Sequence, residues 1–257
     1  MIRVASLFTA GTNCDEETML AFEMAGAKSE RVHLNLLKKN RRLLEKYQIL
    51  AIPGGFTYGD YISAGKILAN ELQYILEHSI TEFIQAGKLI IGICNGFQVL
   101  VKAGILPGFS QKQSVTLDVN DSNRFECRWV YLKANPKSPC VFTKDIDMMP
   151  VPVAHAEGKF VVDSEKTLKK IKKNNQDVFT YVNQKGGKAQ YPDNPNGSIE
   201  DIAGICDSTG RIFGLMPHPE RASSIYQYPD WFMSKHMQEP IGLKVFKNAV
   251  KYAQKNL

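Results

Sequence analysis

Residues 89–98 read Leu-Ile-Ile-Gly-Ile-Cys-Asn-Gly-Phe-Gln and place one cysteine, Cys94, at the end of an apolar run, with Gly92 and Gly96 two positions away on either side. That spacing predicts a nucleophile elbow. A strand that turns sharply into a helix holds its middle residue in a strained conformation, and side chains at the flanking positions would strike the neighbouring strand and helix. The helix beginning there adds free N–H groups, which favour a thiolate. The chemistry this suits is covalent attack on a carbonyl or amide carbon.

A thiol nucleophile needs a base, and the sequence contains five histidines. His218 follows an apolar stretch in Met216-Pro217-His218-Pro219-Glu220. Read as an extended segment stiffened by two prolines, this puts His218 and Glu220 on one side, so the carboxylate fixes one ring nitrogen and the other faces the thiol. His155, in His155-Ala156-Glu157-Gly158, is a competing base with its own carboxylate two residues on. Cys14, in Gly11-Thr12-Asn13-Cys14-Asp15, is a rival nucleophile. It lacks flanking glycines and reads as a loop residue that lines or supports the site. Cys127, Cys140 and Cys206 are expected to be small buried hydrophobes. Donors for an oxyanion are expected from the backbone N–H of Gly55, in Pro53-Gly54-Gly55-Phe56, and of Asn95, which follows the nucleophile. The stretch from Gly59 to Lys66 resembles a phosphate-binding loop, but its glycine spacing is one residue too long and Ile67 stands where Ser or Thr is required, so no ATP site is expected.

The elements that must position these groups alternate between apolar runs and helix-period segments over the first hundred or so residues, the pattern of a parallel sheet covered by helices. Strands are expected at 2–8, 31–36, 49–52 and 89–93. Helices are expected at 16–25, around 39–46, over 63–86 with a break near His78, and at 97–103 ending at Gly104. Short strands at 115–119, 125–132, 151–154, 160–162 and 178–182 suggest an antiparallel extension. Segments 202–206 and 211–216 read as a hairpin across Asp207-Ser208-Thr209-Gly210, residues 186–198 as a long loop, and 241–254 as a final helix.

Composition narrows the class. With 257 residues, 44% hydrophobic and 23% charged, the chain suits one sizeable α/β domain over 1–257 rather than two domains, a disordered chain or a membrane protein. Five cysteines with no CxxC pair argue against a disulfide framework or a zinc site, so no metal is expected and a reducing, cytoplasmic location is. The apolar N-terminus is broken by Ser6 and Thr9 and is read as a first strand, not a signal peptide. The net charge of +6 is diffuse apart from Lys38-Lys39-Asn40-Arg41-Arg42 and residues 166–173, read as solvated helix faces. Neither nucleic acid nor membrane is expected as a partner.

Gly92-Ile93-Cys94-Asn95-Gly96-Phe97-Gln98 with the distant His218-Pro219-Glu220 resembles the class I, or triad, glutamine amidotransferases. Within them the chain resembles the branch that serves as glutaminase subunits of phosphoribosylformylglycinamidine synthase. That likeness is carried by residues 11–15, 53–60, 120–122, 124–129, 155–158, 194–198 and 216–221, and spans about 6–221. It implies a flavodoxin-like fold with a central, mostly parallel sheet, helices on both faces and a small antiparallel extension. It implies a triad of Cys94, His218 and Glu220, hydrolysis of glutamine through a cysteine thioester, and glutamine contacts from Gly54, Phe56 and Gln98. The ammonia would pass to a synthetase subunit, which would hold the ATP and magnesium and make formylglycinamidine ribonucleotide. No cofactor is expected on this chain, and a small accessory subunit would complete the complex. Ala10, Ala156 and Lys159 depart from the pattern without touching the triad, and residues 227–239, with Trp231 and His236, match no part of it. A glutaminase for another acceptor and a catalytically idle interaction subunit are the alternatives.

Overall fold

The computed structural model describes residues 1–110, 112–232 and 239–257. Its frame is a nine-stranded sheet. Five strands, β2 (Lys28–His33), β1 (Arg3–Phe8), β3 (Ile49–Ile52), β4 (Leu89–Ile93) and β11 (Ile212–Leu215), lie side by side and parallel in that order. The sheet then continues through β10 (Ile202–Cys206), β9 (Asp177–Val182), β6 (Glu126–Ala134) and β7 (Met148–His155), each antiparallel to its neighbour. The antiparallel extension is thus continuous with the parallel part. A separate two-stranded ribbon pairs β5 (Val115–Asp118) with β8 (Lys159–Val162).

β3 and β4 are buried at every position, which is why they read as unbroken apolar runs. At the edge, β2 begins and ends three residues earlier than expected. Its sequence, Lys-Ser-Glu-Arg-Val-His, is polar because an edge strand faces water on one side. The apolar residues expected to finish it instead open α2 (Leu34–Lys39), where Leu34 and Leu37 share the buried face and His33 Nδ1 caps the start by accepting from Asn35 N–H at 3.1 Å. Residues 41–46, expected as α-helix, form a 3₁₀ helix.

The long helix expected over 63–86 is split into α3 (Lys66–Asn70), a π-turn at Glu71–Ile75 and α4 (Glu77–Gln85). The break falls at Leu76, two residues before His78. The bond from Leu76 N–H to Glu71 O spans five residues, and this wider turn keeps Leu68, Leu72, Leu76 and Ile80 all buried. Ser164 caps α6 (Glu165–Lys173) by accepting from Thr167 N–H, so the lysine-rich stretch is a helix with Thr167 and Ile171 turned inward.

Helices cover both faces. Phe213 packs on Phe142, whose carbonyl accepts from Asn248 of α7 (Ile241–Asn256), whereas the next residue, Gly214, lies against Phe97 of α5 (Asn95–Lys102). Successive strand residues point to opposite faces, so α7 and α5 lie on opposite sides. α1 (Asp15–Met24) joins α7 through Phe22 and Phe246, whose rings meet edge to face at 4.9 Å. The ribbon lies over α5, with Phe160 stacked on Phe97.

Replacing the fully buried Phe246 with Ala removes the ring that ties α7 to α1. Urea unfolding of Phe246→Ala is expected to show a loss of about 3–5 kcal/mol.

Candidate active site

The carboxyl ends of β1, β3, β4 and β11 meet at one edge of the sheet, where open α/β folds bind their ligands. Cys94 leaves β4 there with φ 52° and ψ −107°, a conformation disfavoured for a residue with a side chain. It is held from both directions. Its N–H donates to Leu215 O at 2.8 Å, and its carbonyl accepts from Phe97 and Gln98 N–H at 3.0 and 3.1 Å. The flanking glycines are steric necessities. A Cβ on Gly96 would sit 1.8 Å from Ile52 O, and one on Gly92 would sit 2.6 Å from Gly96 O. The thiol points to Ala154 O at 3.7 Å.

His218 and Glu220 come together as a buried pair, with Nδ1 and Oε1 2.6 Å apart. The local backbone differs from the extended segment read in the sequence. Pro219 begins a 3₁₀ turn over Pro219–Ala222, because proline at a first helical position gives up only an N–H that would be unpaired anyway. The turn still brings the carboxylate back onto the ring, and His218 N–H anchors it by donating to Pro152 O at 2.9 Å. Burial opposes charge on the imidazole, yet Glu220, Cys94 and Cys14 outweigh it and hold the His218 pKa well above its ordinary value. The ring nitrogen turned away from Glu220, Nε2, has no hydrogen-bond partner among the described residues.

Gly54 is where the side chains converge. A Cβ there would lie 2.9 Å from His218 Cε1, 3.0 Å from Cys14 Sγ and 3.4 Å from Cys94 Cβ. Its neighbour Gly55 has φ 144° and passes so close to the loop after β1 that a Cβ would lie 2.6 Å from Gly11 O. The Gly55 and Asn95 backbone N–H groups donate to nothing among the described residues, as donors reserved for a developing negative charge would.

The other expected contacts are arranged differently. The Gln98 amide is engaged at both ends, with Nε2 donating to Glu157 O at 2.6 Å and Oε1 accepting from Asn95 Nδ2 at 2.9 Å. Asn95 Oδ1 also accepts from Thr57 Oγ1 at 2.7 Å. Phe56 is exposed at the rim near Phe125. Glu157 turns away from His155. Its carboxylate accepts from Ala64 N–H at 3.2 Å and lies 3.6 Å from Lys102 Nζ. Burial pushes the Lys102 ammonium down despite that neighbour. Gly65 N–H, inside the stretch that resembles a phosphate loop, donates to Asp60 Oδ1 at 3.2 Å.

His155 is locked elsewhere. Its Nδ1 meets Asn120 Oδ1 at 3.1 Å, its Nε2 faces Asn196 Nδ2 at 3.5 Å, and Asn120 Oδ1 also accepts from Gly158 N–H at 3.0 Å. Burial, with the charge on His218, pushes its pKa down to about 4, so it is neutral near pH 7 and fastens two loops. The bonds from Asn120 to His155 O, from Asn196 to the His155 ring, from Lys102 to Ala64 O and from Asn95 to Asp60 each join residues 35 or more apart, and no local pattern in the sequence announces them. Cys140 and Cys206 are buried as expected, but Cys127 is exposed. Its register partner is Ala154 of β7, and β6 pairs with β9 only from Tyr131 to Ala134, so at Cys127 the strand is paired on one side alone. Cys14, His218 and Glu220 are the one group among the described residues spaced like metal ligands, within 4.8 Å of one another. Those donors are already engaged, Glu220 with the imidazole and Cys14 with Arg221 Nη2 at 3.1 Å. His236 lies outside the described residues, with the rest of 233–238.

A buried elbow thiol beside a carboxylate-backed histidine on this sheet defines an α/β amide-transfer fold, and comparison with known proteins agrees. The family described as CobB/CobQ-like glutamine amidotransferase domain matches residues 1–253, and the chain belongs to the glutamine amidotransferases. Within them it belongs to the PurQ subunits of phosphoribosylformylglycinamidine synthase. It is 52% identical to that subunit from Dehalococcoides mccartyi, with 98% of each chain covered, and 46% identical to that from Methanococcus maripaludis, with 95% of each covered. Among solved structures it matches a chain of the Thermotoga maritima PurLQS structure at 32% identity and TM-score 0.73, covering 98% of both chains. A second Thermotoga maritima glutamine amidotransferase, 17% identical with TM-score 0.54, shares the fold.

Stability should report the state of His155. The unfolded chain takes up its proton near pH 6.5, whereas the folded chain binds it only at about 4, so stability falls as pH drops through that window, by up to roughly 3 kcal/mol. His218 runs the opposite way, its contribution being complete below about pH 6.5 and lost as pH rises through its elevated pKa. Denaturant titrations of the native chain and His155→Gln between pH 7.5 and about 4.5 isolate the first effect. The variant should show the shallower loss towards acid.

Proposed function

We propose that the chain is the glutaminase subunit of phosphoribosylformylglycinamidine synthase, with Cys94, His218 and Glu220 as its catalytic groups. Cys94 Sγ attacks the side-chain carboxamide carbon of glutamine, and the new bond drives electrons onto the amide oxygen. The unpaired N–H groups of Gly55 and Asn95 receive that oxyanion. His218, carrying the proton taken from the thiol and stabilised by Glu220, gives it to the departing ammonia. A γ-glutamyl thioester remains. The imidazole then takes a proton from water, whose oxygen displaces the thiol, and glutamate leaves.

The observation that carries this reading is the buried His218–Glu220 pair set against an elbow cysteine, in a chain of the PurQ family. Gly54 lies under the site, and Phe56 at its rim provides an apolar wall for the aliphatic part of glutamine. Gln98, engaged as it is, contributes by fixing Asn95 and the turn at Glu157 while its remaining N–H is available to substrate.

Ammonia released here is consumed by an ATP- and magnesium-dependent synthetase subunit, with a small accessory subunit in the complex, to convert formylglycinamide ribonucleotide to its amidine. The solved PurLQS structure of Thermotoga maritima, which this chain resembles, supports such an assembly. No cofactor is needed on this chain, because thiol, imidazole and backbone N–H groups supply each step. One sheet running from residue 3 to residue 215 supports reading the chain as a single domain, and its five free cysteines support a reducing, cytoplasmic location. None of the described helices is long and apolar enough to cross a membrane.

Glutamate release should be low from the isolated chain and strongly stimulated in the reconstituted complex with its substrates. Cys94→Ala should abolish amidine formation from glutamine, by more than about a thousandfold, while formation from added ammonium chloride persists. Equal loss of both activities would make Cys94 a structural residue.

A further inference from the structure

We propose that Cys14 is a positioning residue for the catalytic pair: its sulfur engages the Arg221 guanidinium and so keeps that cation from drawing the Glu220 carboxylate off His218. This rests on the roles of Cys94, His218 and Glu220 proposed above.

Arg221 follows Glu220 directly in the chain and is a standing competitor for it. Glu220 Oε2 is buried and has no hydrogen-bond partner among the described residues, and a guanidinium would satisfy it with a charge-assisted bond stronger than any N–H to sulfur contact. The guanidinium is turned elsewhere. Arg221 Nε and Nη2 reach Glu17 Oε1 of α1 at 3.2 and 3.1 Å, and Nη2 also reaches Cys14 Sγ at 3.1 Å. The sulfur stands against both sides of the competition, since Cys14 Sγ, a ring nitrogen of His218 and a carboxylate oxygen of Glu220 all lie within 4.8 Å of one another.

Cys14 is itself held firmly. Its N–H donates to Gly54 O at 3.2 Å, its carbonyl accepts from Thr18 Oγ1 at 2.6 Å, and its thiol donates to Asn13 Oδ1 at 3.1 Å. With its proton committed to Asn13, the sulfur offers Arg221 a lone pair and no charge. Burial keeps the thiol above its ordinary pKa and therefore neutral. An anion in the same place would occupy Arg221 equally well but would perturb the imidazole beside it. The charged and titratable groups facing His218 are Glu220 and Arg221 from its own turn, Cys94 at the start of α5, Cys14 with Glu17 beyond it from the α1 end, and His155 from β7.

The test uses the reconstituted complex and follows glutamine-dependent glutamate release against pH. Cys14→Ala should lower kcat about tenfold with KM for glutamine within about twofold, and should move the alkaline limb down by about one pH unit as the imidazolium loses its carboxylate. Cys14→Ser, which keeps an acceptor, should stay near the native profile. Adding Arg221→Met to Cys14→Ala should bring the limb back, because the competing cation is gone. Should Cys14→Ala not fold, as judged by circular dichroism, Cys14→Val fills the space without an acceptor and must show the same displaced limb. An unmoved limb in the folded variant, or no recovery on removing Arg221, overturns the proposal. Glu220→Gln run in parallel separates the two readings. If it leaves the limb in place, the catalytic pair has been misread; if it moves the limb and Cys14→Ala does not, only the part given to Cys14 fails.

Discussion

The site depends on how closely the first turn of α5 approaches β3. Only a hydrogen at Gly96 fits against the Ile52 carbonyl, and only a hydrogen at Gly92 fits against Gly96. At that distance the chain cannot leave β4 by an ordinary turn, so the residue between the glycines takes φ 52° and lifts its side chain to the sheet edge. Strain of this kind costs on the order of 1–3 kcal/mol and persists only where the surroundings over-determine it. Here three backbone hydrogen bonds at Cys94 do so, its N–H donating to Leu215 O and its carbonyl accepting from Phe97 and Gln98 N–H. The strained backbone, the free N–H of Asn95 and the placing of the thiol at the sheet edge are consequences of one contact.

Around that point the protein buries charge, and each buried group has a defined counterpart. Glu220 is opposite His218, and Lys102 lies between Glu157, the Ala64 carbonyl and the Ser63 hydroxyl. Removing one partner from such a pair leaves the other unsatisfied at a cost of several kcal/mol. The two sites serve different ends. The first sets the proton affinity of the imidazole beside the elbow cysteine. The second ties the segment after β3 to α5 and to the turn at Glu157, and so holds Asn95 and Gln98 in register with the elbow. His155, neutral and hydrogen-bonded at both nitrogens, fastens the far side of the same wall.

Local patterns made much of this legible. β3 and β4 fall at the residues expected because burial on both faces leaves an unbroken apolar run, and the 202–216 hairpin is marked by its Asp-Ser-Thr-Gly turn. β2 was misplaced because an edge strand has few apolar residues, and the leucines that follow it belong to a helix. The pairing of His218 with Glu220 was readable from a two-residue offset, although the backbone between them is a 3₁₀ turn and not an extended segment. Either geometry brings positions two apart together when the side chains are long enough.

The sequence by itself determined the elbow cysteine, its glycines and a carboxylate-backed histidine, since each is set by neighbours within a few residues. Tertiary structure decided which histidine faces the thiol. His155 and His218 carry similar local sequence and both lie near the elbow, where the Cys94 thiol reaches Ala154 O, but the His155 ring is turned onto Asn120 and Asn196 while His218 is backed by Glu220. It also decided that Glu157 belongs to Lys102, that Gln98 is bound at both ends, and that Cys14 and Arg221 meet beside Glu220 across 207 residues of chain. Such partnerships depend on which buried groups share a low-dielectric space, and no short stretch of sequence carries that information.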